Sequence, residues 1–294
     1  MNPVILRKEL LVSGSFFRTA RLRHEWCDFL ENVPEFIQAL AQRPLHADLF
    51  TFVDELHVEV ARHSYHAEPI SIAILPVESY AKWWDGMGFK ARNKVRKAQK
   101  SGAEVRVIEL NEMLARGVEK IYNECPIRQG RKFYHYGKRS PEILTELSSF
   151  PDESIFVGVY LHEELIGFMK LFKGQAVLRT VHIIATIQHR DLNVMDLLIA
   201  KAVELCDLHQ VRSLQYGSWT DGGIGAFRSK HGFKPVTLSR YFVPLNWRGA
   251  FMLKTMLHHP LRERLPTSLV EQYKVVRHKW NTLHLSKMKA RVES

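Results

Sequence analysis

The chain has 294 residues and a mass of 34.2 kDa, which is enough for one large domain or two ordinary ones. A hydrophobic fraction of 46% and a charged fraction of 25% are those of a globular protein and exclude a disordered or fibrous chain. No apolar run approaches the roughly 18 to 20 residues of a membrane helix, and the N-terminus lacks the apolar core of a signal peptide, so a cytoplasmic protein is expected.

The basic charge balance narrows the range of partners. A formal net charge of +11 favours an anionic partner such as a nucleotide-bearing cofactor, tRNA, a sugar nucleotide or an anionic membrane face. Cys27, Cys125 and Cys206 are odd in number and far apart, which argues against disulfides and a zinc site. The histidines include the pair His258 and His259 but form no metal-binding motif, so no metal is expected.

The first half of the chain alternates between helical and strand-like segments, which favours a mixed α and β fold over a helix bundle. The predicted elements are a helix at 25–42 interrupted by Pro34, strands at 49–53 and 70–75, a helix at 80–100, a strand at 105–108, and helices at 113–124 and 141–148.

The second half shows a sharper pattern. Two apolar runs at 155–161 and 165–172, joined by the polar turn 162–164, predict a β-hairpin, and a third run at 177–187 completes a three-stranded meander. The elements predicted after the meander are a helix at 193–208, a strand at 211–216, a short helix at 223–231 and a strand at 233–245.

The last 48 residues are strongly basic, with ten Lys or Arg and three Glu. Ser268 and Glu271 have the spacing of a capping box. Apolar residues then recur at intervals of three and four, which predicts a helix with one apolar face. These residues are Leu269, Tyr273, Val276, Trp280 and Leu283.

The order meander, helix, strand, short helix ending in "FRSKHGF", strand resembles the GNAT acyltransferase fold. The segment "IQHRDLNVMDLL" resembles the loop that binds pyrophosphate in that family, with Arg190, Asn193 and Met195 in the three motif places. A helix start suits pyrophosphate because its first amides lack partners and the helix dipole is positive there. Both small residues of the motif are replaced here, so the alternative is a capped turn with a solvated Arg190. The resemblance implies a donor site at Ile184, Gln188, His189, Arg190, Leu192, Asn193, Val194 and Met195.

Three further stretches are similar to FemAB-like proteins, which are duplicated GNAT-fold enzymes using aminoacyl-tRNA or acyl-CoA. The stretches are "KARNKVRKAQKSGAEVR", "IRQGRKFYHYGK" and "GGIGAFRSKHGF". The resemblance implies two tandem GNAT-like halves in an α/β fold with a mixed sheet. The expected domains are an accessory or degenerate half at 1–150, the acyltransferase domain at 151–246 and a basic helical extension at 247–294.

Acyl transfer to an amine needs a base for the amine and a donor for the developing oxyanion. The Tyr acid that many GNAT enzymes carry in the short helix is absent, and Arg228 keeps a positive charge in that segment. Tyr216 is a candidate acid, and His182 and Asp221 are candidate bases. Each has a structural alternative, namely an exposed Arg, a buried Tyr or a structural His.

Basic and polar residues in the first half are candidates for contacting the acceptor. The segment 90–100 has six basic residues and no acidic one, with Arg92 and Arg96 on one helix face. A second group lies in the loop that follows the helix predicted at 113–124. Its candidate residues are Arg128, Gln129, Lys132 and Tyr134.

The leading hypothesis is an N-acyltransferase that moves an acyl group from acyl-CoA, such as acetyl-CoA, to an amine of a small or cell-envelope-related acceptor. One alternative is a FemAB-like transferase that takes an aminoacyl group from tRNA. Another is a GNAT-like binding protein without catalytic activity. The basic segments indicate that the acceptor could be anionic.

Overall fold

The computed structural model describes residues 3–42, 45–56 and 63–259. The strands are β1 (Val4–Ile5), β2 (Lys8–Ser13), β3 (Thr19–Leu22), β4 (Leu49–Val53), β5 (His66–Pro76), β6 (Glu104–Ile108), β7 (Ile127–Arg128), β8 (Arg131–Lys132), β9 (Ser154–Leu161), β10 (Glu164–Lys173), β11 (Val177–Ala185), β12 (Ser213–Ser218) and β13 (Lys234–Pro244). The α-helices are α1 (Val33–Ala41), α2 (Tyr80–Gly86), α3 (Phe89–Gln99), α4 (Glu112–Asn123), α5 (Ser140–Leu147), α6 (Val194–Leu208), α7 (Gly223–Lys230) and α8 (Trp247–Lys254). The apolar face predicted at 269–283 lies outside the described residues.

One mixed sheet of eleven strands runs through the molecule in the order β1-β2-β3-β4-β13-β5-β12-β11-β10-β9-β6, and β7 and β8 form a separate ribbon. Most neighbours are antiparallel, while β11 with β12 and β3 with β4 are parallel. This confirms the predicted mixed α/β class. The sheet crosses the predicted boundary at residue 150, because β6 pairs with β9 and β5 pairs with β12 and β13. The division into domains stays a prediction.

The hairpin of β9 and β10 confirms the pattern in the second half. His162 and Glu163 both have positive φ, at 50° and 63°, which is the backbone of a type I′ turn. Its twist matches that of the flanking strands, which explains why so short a polar segment reverses the chain. β11 follows antiparallel to β10, so the three-stranded meander is present as predicted.

The helix predicted at 80–100 is wrong in one respect, because two helices occupy that segment. Met87 and Gly88 are extended, with ψ of 141° and 148°, and Gly88 begins α3. Glycine is a poor residue for a helix interior, and Met87 is buried in the core at the break. The break lets α3 pack on α6 through Ala91, Val95 and Ala98, which leaves most of its basic side chains facing outward.

The N-terminal segment holds three strands that the sequence pattern did not predict, and its helix is shorter than expected. Asn32 caps α1, since its side chain accepts a hydrogen bond from the Glu35 amide at 3.2 Å. Pro34 therefore lies in the first turn of α1, where a proline is tolerated, and it does not interrupt the helix as predicted. None of the described helices combines the length and apolar character needed to cross a bilayer.

Candidate active site

The parallel strands β11 and β12 separate part way along their length. They pair only between Val177–Arg179 and Ser213–Gln215, which are the first residues of each strand. The register of β11 against β10 shifts so that Val181 is an extra residue, with Lys170 opposite His182 and Leu171 opposite Thr180. Such a β-bulge bends its strand and increases the local twist. The bulge therefore accounts for β11 turning away from β12.

A cleft of about 620 Å³ lies between the separated strands. One wall comes from the second half of β11 and the loop after it, and another from Tyr216 on β12 and the start of α7. The ribbon of β7 and β8 and Lys94 of α3 complete the lining. Beyond Arg179, no described strand pairs with the side of β11 that faces β12. Apart from the Ala185 carbonyl, which accepts a hydrogen bond from Arg128, the backbone groups on that side of β11 are therefore available to a ligand.

The start of α6 lies at the cleft and presents free amides. Asn193 has φ 54° and ψ 39°, a left-handed conformation that asparagine adopts more readily than most residues, and its side chain donates to the Asp191 carbonyl at 3.0 Å. Within the described residues, the amides of Val194 and Met195 have no hydrogen-bond acceptor. A helix of 15 residues with unpaired first amides attracts an anion.

A carboxylate and a guanidinium hold the loop before α6. Glu124 accepts hydrogen bonds from the amides of Ile187 and Gln188 at 2.6 and 2.7 Å. Arg128 donates to the carbonyls of Ala185 and Ile121, each at 2.8 Å, and to Glu124 at 2.9 Å. Arg128 was predicted to contact substrate. It lines the cleft, but these three hydrogen bonds hold the loop in place. Glu124 was missed, because a single acidic residue at a helix end gives no distinctive sequence signal.

His182 faces the cleft and pairs with a buried tyrosine. Its Nε2 lies 3.0 Å from the Tyr122 hydroxyl, and the His135 ring lies 5.0 Å away. Burial, His135 and Lys138 lower the pKa of His182 to about 3, so its imidazole is neutral at physiological pH. Burial raises the pKa of Tyr122 well above its usual value. His182 as a catalytic base stays a prediction, and as a weakly basic imidazole it would work best at accepting a hydrogen bond.

Tyr216 lines the cleft near the end of β12, where the pairing with β5 is irregular and Gly217 has φ 62°. Burial raises the pKa of Tyr216, while the charge of Arg228 pulls it down. A phenol that stays protonated at neutral pH can act as an acid. Arg228 is buried behind Tyr216 and is absent from the lining of the cleft as far as the chain is described. No contact of Arg228 with the cleft therefore supports the prediction that it stabilises the oxyanion directly. That role stays a prediction.

Asp196 was also missed by the sequence analysis. It lies in the first turn of α6, lines the cleft and forms an ion pair with Lys230, and His231 Nε2 lies 3.2 Å from its carboxylate. Burial raises the pKa of Asp196, but hydrogen bonds from His231 and Lys230 outweigh it, so the pKa lies below the usual value. Lys230 and His231 lie more than thirty residues after Asp196 in the sequence, so their spacing could not reveal this cluster. They offset a carboxylate that would otherwise repel an anion at the helix start.

The remaining predicted residues divide between the cleft and the surface around it. Those in the cleft are Gln129, Lys132, Ile184, His189 and Arg190 as well as Asn193, Val194 and Met195. Those outside its lining are Arg92, Arg96, Tyr134, Gln188 and Leu192. Arg96 lies over the Trp84 ring at 5.5 Å, and the exposed Tyr134 ring lies 4.5 Å from Lys138 Nζ. Lys94 is the α3 residue that reaches the cleft.

Comparison with known proteins shows similarity in structure but not in sequence. No protein-family model matches the chain, and no curated protein sequence matches it. FemX aligns with a TM-score of 0.55 at 10% identity over 79% of this chain and 83% of FemX. L-PGS from Bacillus licheniformis aligns at 0.53 and 13% identity over 80% of each chain. The C-terminal domain of a protein described as a lysylphosphatidylglycerol synthetase, from Agrobacterium fabrum, aligns at 0.53 and 12% identity over 86% of each chain.

These similarities establish the fold. The chain has the GNAT-type fold in the form found in FemX and the lysylphosphatidylglycerol synthetase domain, which confirms the FemAB-like resemblance at the level of structure. Identities of 10% to 13% leave the donor and the acceptor to be argued from the site itself.

Proposed function

We propose that the protein is an N-acyltransferase that moves an acyl group from acyl-CoA to an amine of a small or cell-envelope-related acceptor. The observation that carries this proposal is the cleft between β11 and β12, with the free amides of Val194 and Met195 at one end. A linear acyl carrier with a phosphate group fits such a site. Its chain can hydrogen-bond the exposed edge of β11 while its phosphate binds the start of α6.

The cleft also supplies groups for the chemical step. The amine nitrogen attacks the thioester carbonyl, the C–N bond forms and the C–S bond breaks. The Tyr216 hydroxyl gives its proton to the departing sulfur, and the proton lost by the amine passes to the phenolate or to water. Tyr216 suits this role because it lines the cleft and its raised pKa keeps the hydroxyl protonated.

A second candidate donor is aminoacyl-tRNA, and the charge around the cleft favours it. Lys94 and Lys132 line the cleft, and Lys94 belongs to a helix whose exposed face is strongly basic. The net charge of +11 would attract a polynucleotide over a long range. The name of the similar Agrobacterium fabrum protein refers to a lysyl product, which is consistent with an aminoacyl donor.

One pair of binding measurements separates these donors. Isothermal titration of the full chain with CoA and acetyl-CoA is expected to give one site per chain. Filter binding of tRNA at several salt concentrations is expected to show only weak affinity. Tight tRNA binding that falls steeply with salt, without CoA binding, would favour the second donor. If neither ligand binds, the protein is not a transferase of either kind.

A further inference from the structure

Three imidazole nitrogens surround one carboxylate oxygen at a place separate from the cleft lining. The Nε2 atoms of His66, His258 and His259 lie 3.0, 2.7 and 3.1 Å from Oε1 of Glu68. The ligand atoms of His66, Glu68 and His258 all lie within 4.8 Å of one another. His66 and Glu68 belong to β5, and the two other histidines follow α8, so distant parts of the chain build the group.

Hydrogen bonds alone do not satisfy this arrangement well. One carboxylate oxygen has two lone pairs, so three N–H donors exceed what Oε1 can accept in good geometry. His258 Nδ1 lies 3.3 Å from the Met252 carbonyl, and a neutral ring that donates there turns a lone pair toward Glu68. Three protonated rings would repel one another, since the centroids of His258 and His259 are 4.2 Å apart. A bound cation removes both difficulties.

The donor set fits a first-row transition ion. Zinc binds imidazole nitrogen and carboxylate oxygen at about 2.0–2.2 Å in a tetrahedral site, which places neighbouring ligand atoms about 3.3 Å apart. The distances from Glu68 to the three nitrogens, 3.0, 2.7 and 3.1 Å, are all somewhat shorter than that spacing, so a bound ion would move the side chains slightly apart. Calcium and magnesium prefer all-oxygen sites, so the imidazoles select against them.

The surroundings also have features of a metal site. The contact between His258 Nδ1 and the Met252 carbonyl is the kind of outer hydrogen bond that orients a metal-binding histidine. The Phe242 ring packs against His258 at 4.8 Å and against His66 at 6.0 Å, which gives the group an apolar side. The His66 side chain is 48% exposed, so an ion can enter from solvent.

We propose that His66, Glu68 and His258 bind one Zn²⁺ ion per chain, with His259 beside them. The ion would link the segment after α8 to the start of β5. The proposal departs from the expectation that the protein binds no metal. Sequence spacing could not indicate the site, because His258 lies 190 positions from Glu68.

The test uses the untagged full-length chain, stripped with a chelator and titrated with ZnCl₂ by calorimetry. The wild type is expected to bind one equivalent. His66→Ala and Glu68→Gln are expected to weaken Zn²⁺ binding by at least about tenfold. Removing a residue that only hydrogen-bonds to a metal ligand already costs about that much affinity. His162→Ala, which changes an exposed histidine in the β9–β10 turn, is the matched control and should bind as the wild type does.

Thermal denaturation gives a second readout. Zn²⁺ should raise the Tm of the wild type and of His162→Ala but not that of His66→Ala. Since about half of the His66 side chain is exposed, its removal should change the metal-free Tm only slightly. Failure of the wild type to bind one equivalent, or equal affinity in wild type, His66→Ala and Glu68→Gln, would overturn the proposal.

Discussion

The guanidinium of Arg228 lies over the ring of Tyr216, with Cζ 4.6 Å from the ring centroid, and Nη1 donates to the Ser218 carbonyl. Arg228 is thus held between the end of β12 and α7, behind the residue that faces the cleft. Its charge lowers the pKa of Tyr216 against the effect of burial. Arg228 therefore acts on the proposed chemistry through Tyr216, as a positioning residue.

Arg228→Ala is expected to lower turnover by about tenfold, less than the loss of a donor that contacts the reacting atoms, because Arg228 acts through Tyr216. It should also move the alkaline limb of the kcat profile to higher pH, because the Tyr216 pKa rises when the positive charge is removed. Arg106→Ala is the matched control, since Arg106 lies over the Tyr160 ring at 4.9 Å outside the cleft lining. An unchanged rate and pH profile in folded Arg228→Ala would contradict this role.

His182 should make the stability of the protein depend on pH. Its pKa falls from 6.5 to about 3 on folding, so the unfolded chain binds a proton between those values that the folded chain does not. The free energy of unfolding should therefore fall as the pH drops below 6.5, by up to about 1.4 kcal/mol per pH unit for this one group. His182→Gln should remove that part of the slope in urea denaturation between pH 6.5 and 4.

Tyr122→Phe is the control for this measurement. It removes the hydroxyl that pairs with His182 Nε2 but leaves the imidazole buried. Its free energy of unfolding should fall by about 1 kcal/mol at every pH, with the acid slope retained. If His182→Gln kept the full wild-type slope, titration of His182 would not be its source.

The second half of the fold could be predicted because its elements carry their signals locally. The runs of β9 to β11 are apolar and bounded by turn residues, and α6 combines a 3.6-residue pattern with Asn193 before it. β1 to β3 escaped prediction, since they are short and only partly buried. β3 pairs with β4, β2 with β3 and β1 with β2, and this pairing is tertiary context that propensity does not encode.

In the candidate site, too, features built from neighbouring residues were predicted, and features built from distant residues were not. The loop around Asn193 was predicted because its residues are contiguous. The bulge at Val181, the Glu124 carboxylate on the loop amides and the pairing of Asp196 with His231 were not predicted. Each depends on residues that only the folded sheet brings together. Arg92 and Arg96 were chosen by charge, whereas the orientation of α3 directs Lys94 to the cleft.

Lys94 is the residue of α3 to test for acceptor binding, because it lines the cleft. Lys94→Ala is expected to raise the KM of an anionic acceptor about two- to fivefold, as one exposed ion pair contributes up to about 1 kcal/mol. Lys97→Ala is the control, because this exposed residue of α3 lies outside the cleft lining. Arg92 and Arg96 also lie outside the cleft lining, so their double change to Ala should raise the acceptor's KM less than Lys94→Ala does. Equal effects of all these variants on both KM values would assign α3 only a general electrostatic role.

Asn193 provides the test of the donor site. Asn193→Gly should preserve or improve CoA affinity in isothermal titration, since glycine adopts φ 54° without strain and leaves the Val194 amide open. Asn193→Val should abolish CoA binding, because a β-branched residue pays about 1–2 kcal/mol or more in the left-handed region and would pull the first amides of α6 out of position.

Gln210→Val is the matched control. Gln210 has φ 56° just after the other end of α6 and lies outside the cleft lining, so this variant carries similar strain but should bind CoA normally. Loss of binding in both valine variants would indicate general damage to α6. Absence of CoA binding in the wild type and in Asn193→Gly would exclude the acyl-CoA donor. Salt-sensitive tRNA binding in the same samples would then point to aminoacyl-tRNA.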